Sequence, residues 1–146
     1  MTERSLYPEI FKAIEVTEGR SGTPLLTPVA AGWPSPSEDY IEDSLDLHQM
    51  VVRNPAATYF LRAMGHSMLG AGIHDGDLLV VDRSKEPVSG KVVIAVVDGE
   101  LTVKRLAKKN GRVLLLAENP DYPDLDITDR EDASIWGVVT YVIHNL

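Results

Sequence analysis

KVVIAVVDGELTVKRLAKKNGRVLLLA, residues 91–117, is the stretch that decides the fold. Two dipeptides, Asp98-Gly99 and Asn110-Gly111, cut it into three apolar runs. Aspartate and asparagine tolerate positive φ, and glycine adopts it at no steric cost. Such pairs build two-residue hairpins whose twist matches that of the flanking strands. Lys91–Val97, Glu100–Leu106 and Val113–Ala117 therefore read as consecutive antiparallel strands. Working outward, Thr58–Met64 is rich in β-formers, Asp77–Val81 follows the turn signal His74-Asp75-Gly76, and Ile135–Ile143 makes a final long strand. One short helix is expected. Ser44 or Asp46 can cap it, Leu47, Met50 and Val51 fall at i, i+3 and i+4, and Asn54-Pro55 stops it. The expected fold is mainly β: a single compact body with strands close together in sequence.

Residues 1–36 differ from this body. Pro8, Pro24, Pro28, Pro34 and Pro36, with Gly19, Gly22 and Gly32, argue for an extended arm rather than packed secondary structure. Leu25, Leu26, Val29, Ala30 and Ala31 form an apolar patch within it, suited to lying in a groove. The expected division is an arm at 1–36 and a folded domain at 37–146.

Composition excludes several chemistries. The chain has 146 residues and no cysteine, so it has no disulfide, zinc–thiolate site, iron–sulfur cluster or cysteine nucleophile. Its net charge of −8 suits neither a polyanion-binding surface nor direct sequence-specific DNA binding. Acidic residues cluster at 38–46 and 121–132, and the one basic concentration is Lys104, Arg105, Lys108, Lys109 and Arg112 around a turn. Charges scattered through the first fifteen residues do not suit a signal peptide, and no apolar run reaches the roughly 20 residues of a membrane span. A soluble, cytoplasmic protein is expected. His48, His66, His74 and His144 form no familiar metal-ligand spacing, so neither a metal nor a cofactor is expected. Gly70, Gly72 and Gly76 form no dinucleotide fingerprint.

Gly65-His66-Ser67-Met68 follows a predicted strand and precedes a glycine-rich turn. A serine there can project into solvent beside main-chain N–H groups able to hold an oxyanion. The hydroxyl needs a base, and the candidates are the histidines or a neutral lysine. Lys104 lies inside a strand, on the face of Thr102 and Leu106. An ordinary lysine has a pKa of roughly 10.4, so it serves as a base only where burial lowers that value.

Several ordered motifs carry a resemblance. Ala31 to Tyr40 resembles the cleavage region of the UmuD family of self-processing polymerase accessory proteins. Asp46 to Phe60 looks like that family's helix and first core strand. Gly65-His66-Ser67-Met68 is similar to its nucleophile motif, and Asp75–Asp82 and Val97–Leu106 to its next two signatures. The resemblance runs from about residue 24 to the C-terminus. It implies a fold like the C-terminal domain of the LexA repressors and a Ser–Lys dyad of the kind that type I signal peptidases share. Ser67 is then the nucleophile, Lys104 the base, and Ala31–Gly32 the bond cut. His66 and Met68 flank the serine in the oxyanion loop. Position 66 departs from the family, which more usually has an acidic residue or asparagine there. The resemblance further implies a homodimer, stimulation by a RecA–single-stranded-DNA filament, and partnership with a UmuC-like Y-family translesion polymerase. It assigns no role to the first twenty or so residues.

Three other readings compete. A LexA-type repressor needs a DNA-binding domain ahead of the cut, yet only 31 proline-rich residues precede Gly32, with four acidic against three basic. A signal peptidase needs a membrane anchor. A non-catalytic interaction protein retaining the fold has no need of both Ser67 and Lys104.

Overall fold

The computed structural model describes residues 10–13, 23–26, 31–33 and 41–146. Ten strands and one helix follow in order. They are β1 (Ile10–Lys12), β2 (Thr23–Leu26), β3 (Ile41–Leu45), α1 (Leu47–Val51), β4 (Thr58–Arg62), β5 (Leu78–Asp82), β6 (Val92–Val97), β7 (Glu100–Lys109), β8 (Arg112–Leu116), β9 (Leu125–Asp126) and β10 (Ala133–Ile143). Eight strands form one sheet in the order β1-β4-β5-β10-β6-β7-β8-β9, and β2 and β3 form a separate pair. Every ladder is antiparallel.

Both expected hairpins are present. Asp98 and Gly99 have φ of 51° and 77°, Asn110 and Gly111 of 52° and 74°, the positive pair that a type I′ turn requires. The second turn is so tight that β7 runs on to Lys109, three residues beyond the expected end at Leu106. Asp46 caps α1, its side chain accepting the Gln49 N–H at 3.1 Å. Ser44, the alternative cap, lies in β3 instead.

Residues 1–36 hold more pairing than their prolines and glycines suggest. Ile10–Lys12 pairs with Tyr59–Leu61 of β4, and Thr23–Leu26 pairs with β3. The expected docking patch is described only in part, since Val29 and Ala30 lie outside the described residues.

Alternation along the central strands divides the core. Leu79 and Val81 of β5 and Ile94 of β6 join Leu61, Met68 and Ile73 in one cluster. Val93 and Ala95, on the other face of β6, join Leu106, Leu115 and Val138 in a second. Val80 packs with Ala13, Val51 and Val52 in a third. Strand β6 is thus covered on both sides, and burial of each such aliphatic side chain contributes about 1.5–3 kcal/mol. Gly137 of β10 is there for closeness: a Cβ would stand 2.6 Å from Val81 Cγ1.

Candidate active site

The loop that carries Ser67 begins where β4 ends. Ala63 N–H donates to the Asp77 carbonyl and Gly76 N–H to the Ala63 carbonyl, both at 2.8 Å. Gly65 takes φ of 89°, and its N–H donates to Asp75 Oδ1 at 2.8 Å. The loop therefore leaves the sheet at a fixed angle. Met68 then anchors it from below, 2% exposed within the first core cluster. Truncating such a side chain costs about 2–5 kcal/mol, so the serine beside it has a firm base.

A second grip comes from the chain after β8. Glu118 N–H donates to the Ser67 carbonyl at 2.8 Å, and the Glu118 carbonyl accepts from Gly70 N–H at 2.7 Å. Asn119 Nδ2 donates to the His66 carbonyl at 2.8 Å. This contact explains glycine at position 70, because a Cβ would fall 2.7 Å from the Glu118 oxygen. Arg105 ties the brace to β7, its Nε donating to Glu118 Oε1 and its Nη1 to the Gly90 carbonyl.

Lys104 reaches the loop from β7, where it pairs with Val93 of β6. Its Nζ stands 2.7 Å from Ser67 Oγ. Burial lowers the Lys104 pKa from its ordinary value. Among the described residues no carboxylate forms an ion pair with it, so nothing offsets the desolvation. In its neutral form the amine can accept the hydroxyl proton across the same short contact. No hydrogen bond among the described residues engages the main-chain N–H of Ser67 or Met68, which leaves both available to an oxyanion. Beside the serine lies a cleft of about 150 Å³ walled by the apolar Ala63, Leu79, Ile94, Leu101 and Val103 and by the polar Arg62 and Thr102. Its size suits small side chains.

The structure thus brings Ser67 and Lys104 together, 37 positions apart in sequence. His66 and Met68 flank them, but His66 points an exposed side chain outward and contributes its carbonyl to the brace. Ala31 and Gly32 are not brought to the dyad. Both are exposed, and nothing lies within 4 Å of where a Gly32 Cβ would stand. Sequence reasoning missed the brace made by Arg105, Glu118 and Asn119, which no local pattern signals. It also missed a cluster away from the dyad, His74, Asp77 and His144, whose spacing matches no ligand motif. Among the described residues no helix is long and apolar enough to cross a membrane.

The family model described as Peptidase S24-like matches residues 24–140. Protein SamA of Salmonella typhimurium is 51% identical over 126 residues, covering 86% of this chain and 87% of that protein. Protein MucA of Escherichia coli is 44% identical over 134 residues, 91% of each. The LexA repressor of Erwinia tasmaniensis is 41% identical over 129 residues, 88% of this chain but 63% of the repressor.

Proposed function

The chain belongs to the Peptidase S24-like family, and from that premise we propose that it is a Ser–Lys peptidase whose substrate is its own arm, cut between Ala31 and Gly32. The observation that carries this reading is the 2.7 Å contact between Lys104 Nζ and Ser67 Oγ, with the lysine pKa lowered by burial. The neutral amine takes the hydroxyl proton as Oγ attacks the Ala31 carbonyl carbon. The Ser67 and Met68 N–H groups hold the oxyanion. The proton then passes to the leaving Gly32 nitrogen, leaving residues 1–31 as an ester on Ser67. Water, deprotonated by the same lysine, releases it. The body is residues 32–146, and the detachable arm corresponds closely to the 1–36 division read from the sequence.

The small size of the cleft supports the choice of an Ala–Gly bond. Because that bond is exposed in this structure, the arm must first seat in a cleft, its own or a neighbour's. Resemblance to the UmuD family extends the proposal. The protein acts in the cytoplasm as a homodimer, a RecA–single-stranded-DNA filament promotes seating of the arm, and the trimmed body serves a UmuC-like translesion polymerase in the response to DNA damage. A net charge of −8 supports work through protein partners rather than bare DNA. The test is intact-mass analysis after incubation with activated filament. Wild type should yield two fragments, residues 1–31 and 32–146, and Ser67→Ala none. Fragments that persist in Ser67→Ala, or a wild type that stays whole both with filament and at alkaline pH, refute the proposal.

A further inference from the structure

His74, Asp77 and His144 come together where the 74–77 turn meets the end of β10. Asp77 is 2% exposed, while the two imidazoles are 49% and 40% exposed. A sunken carboxylate thus lies beneath two rings open to solvent. The rings sit 4.4 Å apart between centroids and tilt by 33°. Both turn Nδ1 toward the same carboxylate, His144 at 2.6 Å from Oδ1 and His74 at 3.6 Å from Oδ2.

The donors are held by the main chain. His74 N–H donates to Asp77 Oδ2 at 2.7 Å, and Asp77 N–H donates back to the His74 carbonyl at 3.0 Å. This reciprocal pair fixes the first histidine against the carboxylate. His144 is the first residue after β10, so the ladder with β5 brings it to the same place. Ile143 pairs with Leu78, the neighbour of Asp77.

We propose that His74 Nδ1, the Asp77 carboxylate and His144 Nδ1 form a binding site for a divalent transition metal of the Zn²⁺ type. The three donor atoms lie within 4.8 Å of one another. Ligands at 2.0–2.1 Å around a tetrahedral ion stand about 3.3 Å apart, so the trio must contract only modestly. Rotation of the two exposed rings supplies that movement without disturbing Asp77. The 2.6 Å contact opens slightly as the ion takes the place of the proton between His144 and Asp77. Two imidazoles and one carboxylate suit Zn²⁺, Ni²⁺ or Cu²⁺, whereas Ca²⁺ and Mg²⁺ prefer more oxygen donors. The half-exposed rings leave the remaining position to solvent. A bound ion clips the end of β10 to the turn whose Asp75, Gly76 and Asp77 hold Ala63 and Gly65.

Tag-free full-length protein, stripped with a chelator, is titrated with ZnCl₂ by calorimetry. One Zn²⁺ should bind per chain and raise the melting temperature. His74→Ala and His144→Ala should each weaken binding roughly tenfold or more, since loss of an outer-sphere partner alone has that effect. The double variant should show no binding, His48→Ala should match wild type, and CaCl₂ should give no binding heat. Both substituted histidines are partly exposed, and circular dichroism verifies that the variants fold. No uptake of Zn²⁺ by wild type, or wild-type uptake by the double variant, overturns the proposal and leaves an ordinary carboxylate–imidazole pair. A stoichiometry of half an ion per chain overturns it as well.

Discussion

Replacing Lys104 by arginine keeps the charge and much of the length of the side chain while removing its neutral form. Arginine holds its proton to a pH at least about two units higher than lysine does, so its neutral fraction at pH 8.5 is at least about a hundredfold smaller than that of an ordinary lysine. A lysine at its ordinary 10.5 is about 1% neutral at that pH, and burial raises the fraction further. If the neutral amine is the base, Lys104→Arg should therefore cleave at least about a hundredfold more slowly at pH 8.5. Wild type should show the matching profile. Its rate rises about tenfold per pH unit below the Lys104 pKa and flattens above it, at a pH lower than an ordinary lysine requires. The assay is the first-order rate of arm loss without filament, from pH 6 to 10, followed on denaturing gels. His66→Ala should track wild type, because its side chain is exposed and only its carbonyl is engaged. A rate that levels off near 6.5, where histidine titrates, refutes the reasoning. So does near-wild-type cleavage by Lys104→Arg.

Lys104→Met should raise the melting temperature at pH 7. The folded lysine pKa is depressed, so the charged form carries its full desolvation penalty below that pKa. The unfolded chain binds more protons between the folded value and 10.5, and wild-type stability climbs with pH there. The gap between variant and wild type should accordingly narrow toward alkaline pH, and a gap independent of pH contradicts the assignment. Gly70→Ala pushes a Cβ to 2.7 Å from the Glu118 carbonyl oxygen. It should destabilise by about 1–3 kcal/mol in urea and slow cleavage by loosening the brace; an unchanged midpoint and rate would show the brace to be slack. Cutting at 31/32 leaves β1 and β2 on the arm while their partners β4 and β3 stay on the body. The fragments should co-elute in native gel filtration and part only in denaturant, and immediate separation would mean that those ladders contribute little.

The parts of the fold legible in sequence are those set by local chemistry. Asp98-Gly99 and Asn110-Gly111 announce their turns because so few dipeptides take two positive φ values in a row. Strands β4 to β8 and β10 follow from apolar runs of β-formers between such signals. The strands β1 to β3 were hidden. Pro24 lies inside β2, which among the described residues pairs with β3 alone, and an edge strand can spare an N–H. Strand β3, IEDSL, lacks an apolar run, and its serine also suits a helix cap. β9 has two residues, too few for any period to register. The site divides the same way. Gly65-His66-Ser67-Met68 is readable as a loop, but nothing local joins Ser67 to Lys104. That pairing came from resemblance, and the fold supplies the 2.7 Å contact. Glu118 and Asn119 act through main-chain and amide contacts across more than 45 positions, and His144 reaches Asp77 across 67. Such contacts depend on strand order, which composition and spacing do not encode.

Three features of the site argue that seating of the arm is itself the activating step. The dyad is already assembled, with Lys104 half-buried and within hydrogen-bond distance of Ser67. The Ala31–Gly32 bond is exposed, so the machinery stands ready while its substrate is elsewhere. The cleft is small and lined in part by Ser67, so a peptide entering it lies beside the hydroxyl that the amine contacts. Each effect then works in one direction. The seated arm further desolvates Lys104, lowers its pKa and raises the neutral fraction, while it presents the carbonyl to Oγ at the high effective concentration of a tethered group. A stimulating filament need contribute no catalytic group. Moving the arm from 1% to 99% seated takes about 5.5 kcal/mol of differential binding, within reach of an ordinary protein interface. On the proposed reading, selectivity for its own chain follows from the same geometry. A free peptide meets a narrow cleft without the tether that offsets the cost of entering it.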